Sequence, residues 1–189
     1  MMSLEQLDEA PMKLKISMVF CALVLAAESA LAALSVGAAA PDFSAEAAVG
    51  GQPFKFSLAD TLKKGPVVLY FYPKAFTKGC TIEAHQFAEA TDQFKALGAT
   101  VIGISNDDIE TLKKFSVEAC RNKFAVAADA GAKVMQRYDA ALRLLPGMAD
   151  RISYLISPDG KIAAVHASLS ADGHVETMLK AAEQLKARR

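Results

Sequence analysis

The chain carries no excess of charge. Its 21 lysines and arginines balance 21 aspartates and glutamates, and no long basic run gathers them. It therefore has no electrostatic hold on nucleic acid, and no nucleic-acid partner is expected. Internal repeats and low-complexity tracts are also absent. That leaves 189 residues, 52% of them hydrophobic, to build one globular domain with a sizeable core. Cysteine is scarce: Cys21, Cys80 and Cys120 are the whole complement. One bridge is too few to scaffold a domain of this size. There is no Cys-x-x-Cys at the first of the two later thiols, which closes the run Thr77-Lys78-Gly79-Cys80. Direct dithiol exchange at that loop is disfavoured. His166 and His174 stand in no ligand spacing, so neither a metal nor another cofactor is expected.

The N-terminal apolar run, Ile16 through Ala27, falls short of the ~20 residues a spanning helix needs. It follows the basic stretch Met12-Lys13-Leu14-Lys15 and precedes Ala30-Leu31-Ala32, a small-x-small pattern that a signal peptidase accepts. Residues 1–32 read as a cleaved secretory signal. Its start is placed at Met12, because the acidic lead Glu5, Asp8, Glu9 is poor chemistry for such a segment. An uncleaved anchor and a buried N-terminal helix are the other readings of the same run. Cleavage leaves residues 33–189 as the domain, exported to the bacterial periplasm and without stable membrane association. It also removes Cys21, which has no lipobox around it, and leaves Cys80 and Cys120 as the only thiols. Two thiols in an exported protein can pair, so a redox role stands beside a structural one.

From there the chain alternates. Ala33–Pro41 is small and reads as loose. Phe43–Val49 and Pro53–Leu58 flank Gly50-Gly51 as an N-terminal hairpin. Pro66–Tyr72 is a continuous apolar run of β-formers, as in a strand covered on both faces. Thr77 can cap a helix that Gly98 ends, with Phe87, Ala90, Phe94 and Leu97 on its core face. Ala99–Ser105 is a second buried strand. Asp107 or Asp108 caps a helix to about Arg121, with Leu112, Phe115 and Ala119 inward. A short strand, Lys123–Ala127, and a short helix, Ala132–Tyr138, follow. Arg151–Ser157 and Lys161–His166 form a hairpin about Pro158-Asp159-Gly160, and Gly173–Ala187 is a final amphipathic helix. Strands alternating with helices and closing in a hairpin predict an α/β domain, a mixed central sheet flanked by helices. A thioredoxin-like sheet has this arrangement, with the N-terminal hairpin as an addition.

The stretch from Tyr70 to Thr81 concentrates the chemistry. A strand feeding a helix puts its connecting loop at the carboxyl edge of the sheet, where α/β folds bind ligands. Cys80 falls in the first helical turn, where unpaired N–H groups and the helix dipole favour a thiolate. Gly79 lets a small substrate approach the backbone, Thr77 offers a hydroxyl, and Pro73 gives the loop a rigid start. The other reading is that Cys80 is one more small buried side chain. Position alone leaves the two balanced.

The run Pro73-Lys74-Ala75-Phe76-Thr77-Lys78-Gly79-Cys80 resembles the peroxiredoxin signature of Pro, three residues, Thr, two residues, Cys. With Tyr70-Phe71-Tyr72, Thr81-x-Glu83, Ala40-Pro41-Asp42-Phe43 and Asp150 through Ile162, it looks like the bacterioferritin-comigratory (peroxiredoxin Q) branch. The resemblance implies a peroxidase in which Cys80 is the peroxidatic thiolate and becomes a sulfenic acid. It implies that Thr77 positions thiolate and peroxide, that the N–H groups of Gly79 and Cys80 bind peroxide oxygens, and that Arg151 stabilises the charge. Two departures stand out. Lys78 occupies a place where this branch often has proline. His85 occupies the place, five residues on, where many relatives carry a second cysteine. Five residues turn about 140° round a helix, so His85 is expected to face away from Cys80.

Some members of the branch carry the second thiol on the next helix, and Cys120 resembles that layout. The resemblance then implies that Cys120 resolves the sulfenic acid as an intramolecular Cys80–Cys120 disulfide. An external thiol acting on a one-cysteine enzyme, with Cys120 merely packed, is the alternative. A disulfide oxidoreductase on the same fold is a further one. The expected substrates are hydrogen peroxide and small organic hydroperoxides, the expected reductant is a thioredoxin-like or other thiol donor, and the expected state is a monomer.

Overall fold

The computed structural model describes residues 33–188; the N-terminal segment read as an export signal, with Met12 and Cys21, lies outside them. The expected hairpin is present as β1 (Ser44–Val49) and β2 (Gln52–Ser57). Its turn is Gly50-Gly51, both at positive φ, a backbone that glycine adopts without a steric cost. A short helix not foreseen from the sequence, α1 (Leu58–Leu62), follows at once, with the Ser57 hydroxyl capping Asp60 N–H. Then come β3 (Val67–Phe71), α2 (Lys78–Ala96), β4 (Thr100–Ser105), α3 (Ile109–Glu118), β5 (Ala125–Ala128) and α4 (Lys133–Arg137). A small hairpin, β6 (Ala141–Leu142) and β7 (Leu145–Ala149), precedes β8 (Ile152–Ile156), β9 (Ile162–Ala167) and α5 (His174–Ala187).

Seven strands form one sheet in the order β2-β1-β5-β4-β3-β8-β9. β3, β4 and β5 run parallel, and the flanking pairs are antiparallel. This is the expected thioredoxin-like mixed sheet, and the N-terminal hairpin extends it by pairing β1 with β5. All five residues of β3 are buried, as a strand covered on both faces requires. Val67, Leu69 and Phe71 enter one core with Leu58, Met135, Tyr138 and Tyr154. Val68, Tyr70 and Tyr72 enter the other with Phe87, Phe94, Phe115, Met178 and both cysteines.

Two expectations are corrected. Ala33–Pro41 is not loose: Leu34 N–H donates to the Tyr154 hydroxyl, Gly37 N–H to the Ile162 carbonyl, and Pro41 accepts from the Tyr138 hydroxyl. These buried tyrosines need partners for their hydroxyls, and the segment supplies them. The helix expected to reach Arg121 stops at Glu118. Arg121 and Asn122 adopt left-handed backbone, and Asn122 N–H turns back to the Ser116 carbonyl. Cys120 therefore sits in a turn beyond α3, not in its last helical turn.

Candidate active site

The loop between β3 and α2 is held from β4. The Asp107 carboxylate accepts from Ala75 N–H and from the Ser105 hydroxyl, both at 2.8 Å. Asp108 makes the cap expected of either aspartate, accepting from Thr111 N–H, so Asp107 is free to anchor the loop. Pro73 opens the loop half-buried, and Phe76 closes it with left-handed backbone and its ring edge-on to Phe115. Thr77 is the N-cap residue of α2, yet its side chain does not cap. Its hydroxyl donates to the Lys74 carbonyl at 2.9 Å, tightening the loop instead. In this state the Thr77 hydroxyl proton is committed to the loop. The first helical bond runs from Thr81 N–H to the Thr77 carbonyl, so the N–H groups of Gly79 and Cys80 precede the ladder. No acidic residue occupies that first turn to compete for them.

Cys80 is 2% exposed, a free thiol at the positive end of a 19-residue helix. Arg151 reaches it from the opposite side. The antiparallel register sets Ile152 against Phe71, so Arg151 arrives at the edge where β3 feeds the loop. One guanidinium nitrogen lies 3.6 Å from Cys80 Sγ; the Nε–H donates to the Leu169 carbonyl at 3.0 Å. A Cβ on Gly79 would come within 3.0 Å of that same Nη2. Glycine here makes room for the guanidinium, where the sequence had pointed only to room for substrate.

The remaining Arg151 nitrogen pairs with Glu83, one helical turn after Cys80 and wholly buried. Sequence reasoning quoted Glu83 within a motif but gave it no role. Burial pushes its carboxyl up to about 7, against the pull of the Arg151 charge. Behind it stands His174, the first residue of α5, also wholly buried. Burial holds His174 down to about 4, in spite of the Ser168 carbonyl at 3.0 Å from Nε2. The two histidines dismissed for lack of ligand spacing, His166 and His174, pack ring to ring at 4.5 Å. Among the described residues no cluster of His, Cys, Asp and Glu is arranged to hold a metal ion. His85 is half-buried on α2.

Cys120 differs from Cys80 in everything but burial. It is fully buried and free, and burial alone pushes its thiol up. Its turn is tied down on three sides. Arg121 pairs with Glu89 at 3.1 Å and Lys123 with Asp92 at 3.4 Å, both on α2. The Ser116 hydroxyl accepts from Gly51 N–H of the first hairpin at 2.9 Å. The Tyr70 and Tyr72 hydroxyls, on the same face of the sheet, are buried without a hydrogen-bond partner.

A model of the AhpC/TSA family matches residues 36–165. Peroxiredoxin bcp of Helicobacter pylori strain J99 is 34% identical over 152 residues, covering 78% of this chain and 97% of that one. Chloroplastic peroxiredoxin Q of Oryza sativa subsp. japonica is 31% identical over 153 residues, covering 80% and 68%. The crystal structure of peroxidoxin BcpB from Mycobacterium tuberculosis superposes with a TM-score of 0.69 at 32% identity, over 82% of this chain and 99% of that one. That of Mycobacterium tuberculosis AhpC, 21% identical, shares the fold with a TM-score of 0.72 over 83% and 96%. A lone thiol at a helix start facing an arginine, on this sheet and with these relatives, settles the class of chemistry: the chain belongs to the AhpC/TSA family and is a thiol peroxidase, a peroxiredoxin.

Proposed function

We propose that Cys80 is the atom that attacks the peroxide and that Cys120 closes the cycle. The Cys80 thiolate attacks one oxygen of the hydroperoxide, and the O–O bond breaks as the S–O bond forms. The departing oxygen leaves as water or an alcohol once it takes a proton, and the sulfur is left as a sulfenic acid. The N–H groups of Gly79 and Cys80 face the peroxide oxygens, and the Arg151 guanidinium bears the negative charge first on sulfur and then on the leaving oxygen. The observation that carries this reading is the guanidinium 3.6 Å from a buried thiol at a helix N-terminus. Pro73 and Thr77 hold the loop, Thr77 through its hydroxyl bond to the Lys74 carbonyl. The Cys120 thiolate then attacks the Cys80 sulfur and displaces hydroxide, which leaves as water. The resulting disulfide takes two electrons from a thioredoxin-like or other thiol donor.

A single protein copy suffices for that cycle, which supports a monomer. The basic stretch at Lys13 and Lys15, the apolar run after it and Ala30-Leu31-Ala32 support reading residues 1–32 as an export signal and the periplasm as the site of action. The substrates are hydrogen peroxide and small organic hydroperoxides. The complete burial of Cys120 favours a second reading, a one-cysteine enzyme resolved by an external thiol. One experiment separates them. Reduced protein receives one equivalent of hydrogen peroxide, and its thiols are mapped by mass spectrometry. Loss of both thiols with a Cys80–Cys120 peptide supports the intramolecular cycle; turnover by Cys120→Ser with the same donor supports the second reading. Peroxide consumption by Cys80→Ser removes Cys80 from its role in either.

A further inference from the structure

Left-handed backbone without glycine lies beside both thiols. Phe76, in the loop before Cys80, has φ 63°; Arg121 and Asn122, directly after Cys120, have φ 50° and 59°. Residues with a Cβ do not hold that backbone by preference, so tertiary contacts must hold it for them. Both sets of contacts converge on α3. The loop grips this helix twice. Ala75 N–H donates to Asp107, just ahead of the helix, and the Phe76 ring stands edge-on to Phe115 with centroids 5.2 Å apart. The turn of Cys120 hangs from the far end of the same helix. The Phe115 carbonyl accepts from Ala119 N–H and from Cys120 N–H, each at 3.0 Å, and the Ser116 carbonyl accepts from Asn122 N–H. Phe115 thus holds both segments, the loop through its ring and Cys120 through its carbonyl. Its ring is fully buried, stacked on Tyr72 at 5.5 Å, while Phe76 beside it is 45% exposed and lies on the solvent side.

Resting on the assignment of Cys80 as the attacking thiol and Cys120 as its resolving partner, we propose that Phe76 and Phe115 are positioning residues that couple the two segments. While Cys80 is a thiolate, the Arg151 guanidinium and the start of α2 hold it, and the loop stays closed. The sulfenic acid is neutral, so those charge-assisted contacts weaken on oxidation. The loop is then free to let Phe76 return to ordinary backbone, and its ring leaves Phe115. Phe115 is uncovered, and the last turn of α3 loses packing that orders it. The two bonds to the Phe115 carbonyl break together, and Cys120 leaves its turn once its target has been made. The ties that remain from this turn to α2 are two exposed ion pairs, Arg121–Glu89 and Lys123–Asp92, which resist such an opening weakly. In the reduced protein the same ring contact keeps Cys120 in its turn. Neither phenylalanine touches the peroxide; each acts through the thiol whose segment it holds.

The test reads backbone amide exchange over residues 116–122 in the full chain carrying Cys21→Ser and Cys120→Ser, so that no second thiol condenses with the sulfenic acid. One equivalent of hydrogen peroxide is expected to speed exchange in that segment about tenfold, as a local opening does. Phe76→Ala is expected to give the fast exchange before any peroxide is added, with no more than about a twofold further change after it. Phe76→Tyr keeps the ring edge and is expected to behave as Phe76 does. In a Phe115→Leu background the effect of Phe76→Ala is expected to vanish. A segment that ignores oxidation with Phe at 76, or that responds equally with Ala there, overturns the proposal. So does an equal loosening of α5 by Phe76→Ala, because a general packing role would reach that helix as well. Mass spectrometry of the same samples shows whether the added oxygen sits on Cys80. If it sits elsewhere, the Cys80 assignment fails, and the reduced Phe76→Ala protein still decides whether the ring contact holds the Cys120 turn.

Discussion

Cys80 and Cys120 share one core and are buried alike, yet the protein treats them as opposites. Cys80 stands at the start of a helix, with free N–H groups around it and a guanidinium beside it. Cys120 stands past the end of a helix, with nothing but burial acting on its thiol. The lesson is that burial by itself says nothing about a cysteine's reactivity. What matters is whether the surroundings can carry a negative charge at that point. One thiol is prepared where it stands; the other must leave its place, through a local opening, before it can form the bond proposed for it.

The comparison breaks most completely at Arg151. Arg151→Met removes the cation beside Cys80 and leaves only the helix start to favour its thiolate. The second-order rate with hydrogen peroxide is expected to fall about 10²–10³-fold, as when a preorganised charge-stabilising donor is lost, and stopped-flow turnover measures it. Gly79→Ala tests the same contact more gently. The new Cβ, 3.0 Å from Nη2, displaces the flexible end of Arg151 and leaves the helix intact. A loss of about tenfold is expected, an effect equivalent to about 1.4 kcal/mol, with an unchanged thermal transition.

A pH series sharpens the contrast further. Burial moves the Glu83 carboxyl from its ordinary 4.5 up to about 7 on folding, so its protonated form is favoured in the native state. That contribution is complete below pH 4.5 and is lost as pH rises through 7. The stability of wild type relative to Glu83→Gln is therefore expected to fall between pH 4.5 and 7, by an amount on the order of 3 kcal/mol, in urea titrations. His174, held down to about 4, acts in the other direction: its contribution is present above pH 6.5 and is lost as pH falls through 4. Subtracting the Glu83→Gln curve cancels the His174 effect, which both proteins share, and isolates that of Glu83. No such slope is expected from Cys120, whose thiol lies outside this range in both states.

The smallest effect lies on the Cys120 side. Ser116→Ala deprives Gly51 N–H of its acceptor and loosens the turn that carries Cys120. A cost of about 1 kcal/mol is expected, and with it a several-fold faster conversion of sulfenic acid to disulfide, read by quenched mass spectrometry. An unchanged rate would mean that the hairpin does not restrain that turn.

Much of this was legible along the chain. The apolar run before Pro73, the spacing of Thr77 and Cys80, and the helical phase of Phe87 and Phe94 lie within a few residues of one another. Local periodicity reports such features well. Asp107 was read only as an alternative cap, because its true partner, Ala75 N–H, is 32 residues away. Glu83 was visible in a motif, but an acidic residue on a helix ordinarily looks like a solvated face. Only its 0% exposure makes it part of the site. His174 gave no signal at all, since its partners Ser153 and Ser168 come from other elements.

The sequence by itself determined the strand–loop–helix that offers a thiol at a helix N-terminus, because turn chemistry and hydrophobic period are local properties. It also determined that only two thiols lie beyond residue 32. Which cation meets the thiol was not written in local pattern: the family resemblance named Arg151, and the tertiary structure shows why it is that one. Arg151 is one of 21 lysines and arginines, 71 residues from Cys80, and the antiparallel register of β3 with β8 is what selects it. Only the tertiary structure decided the charge state of that site. Whether Glu83 carries a proton depends on its burial set against the Arg151 charge, and the sequence order of the groups says nothing about either.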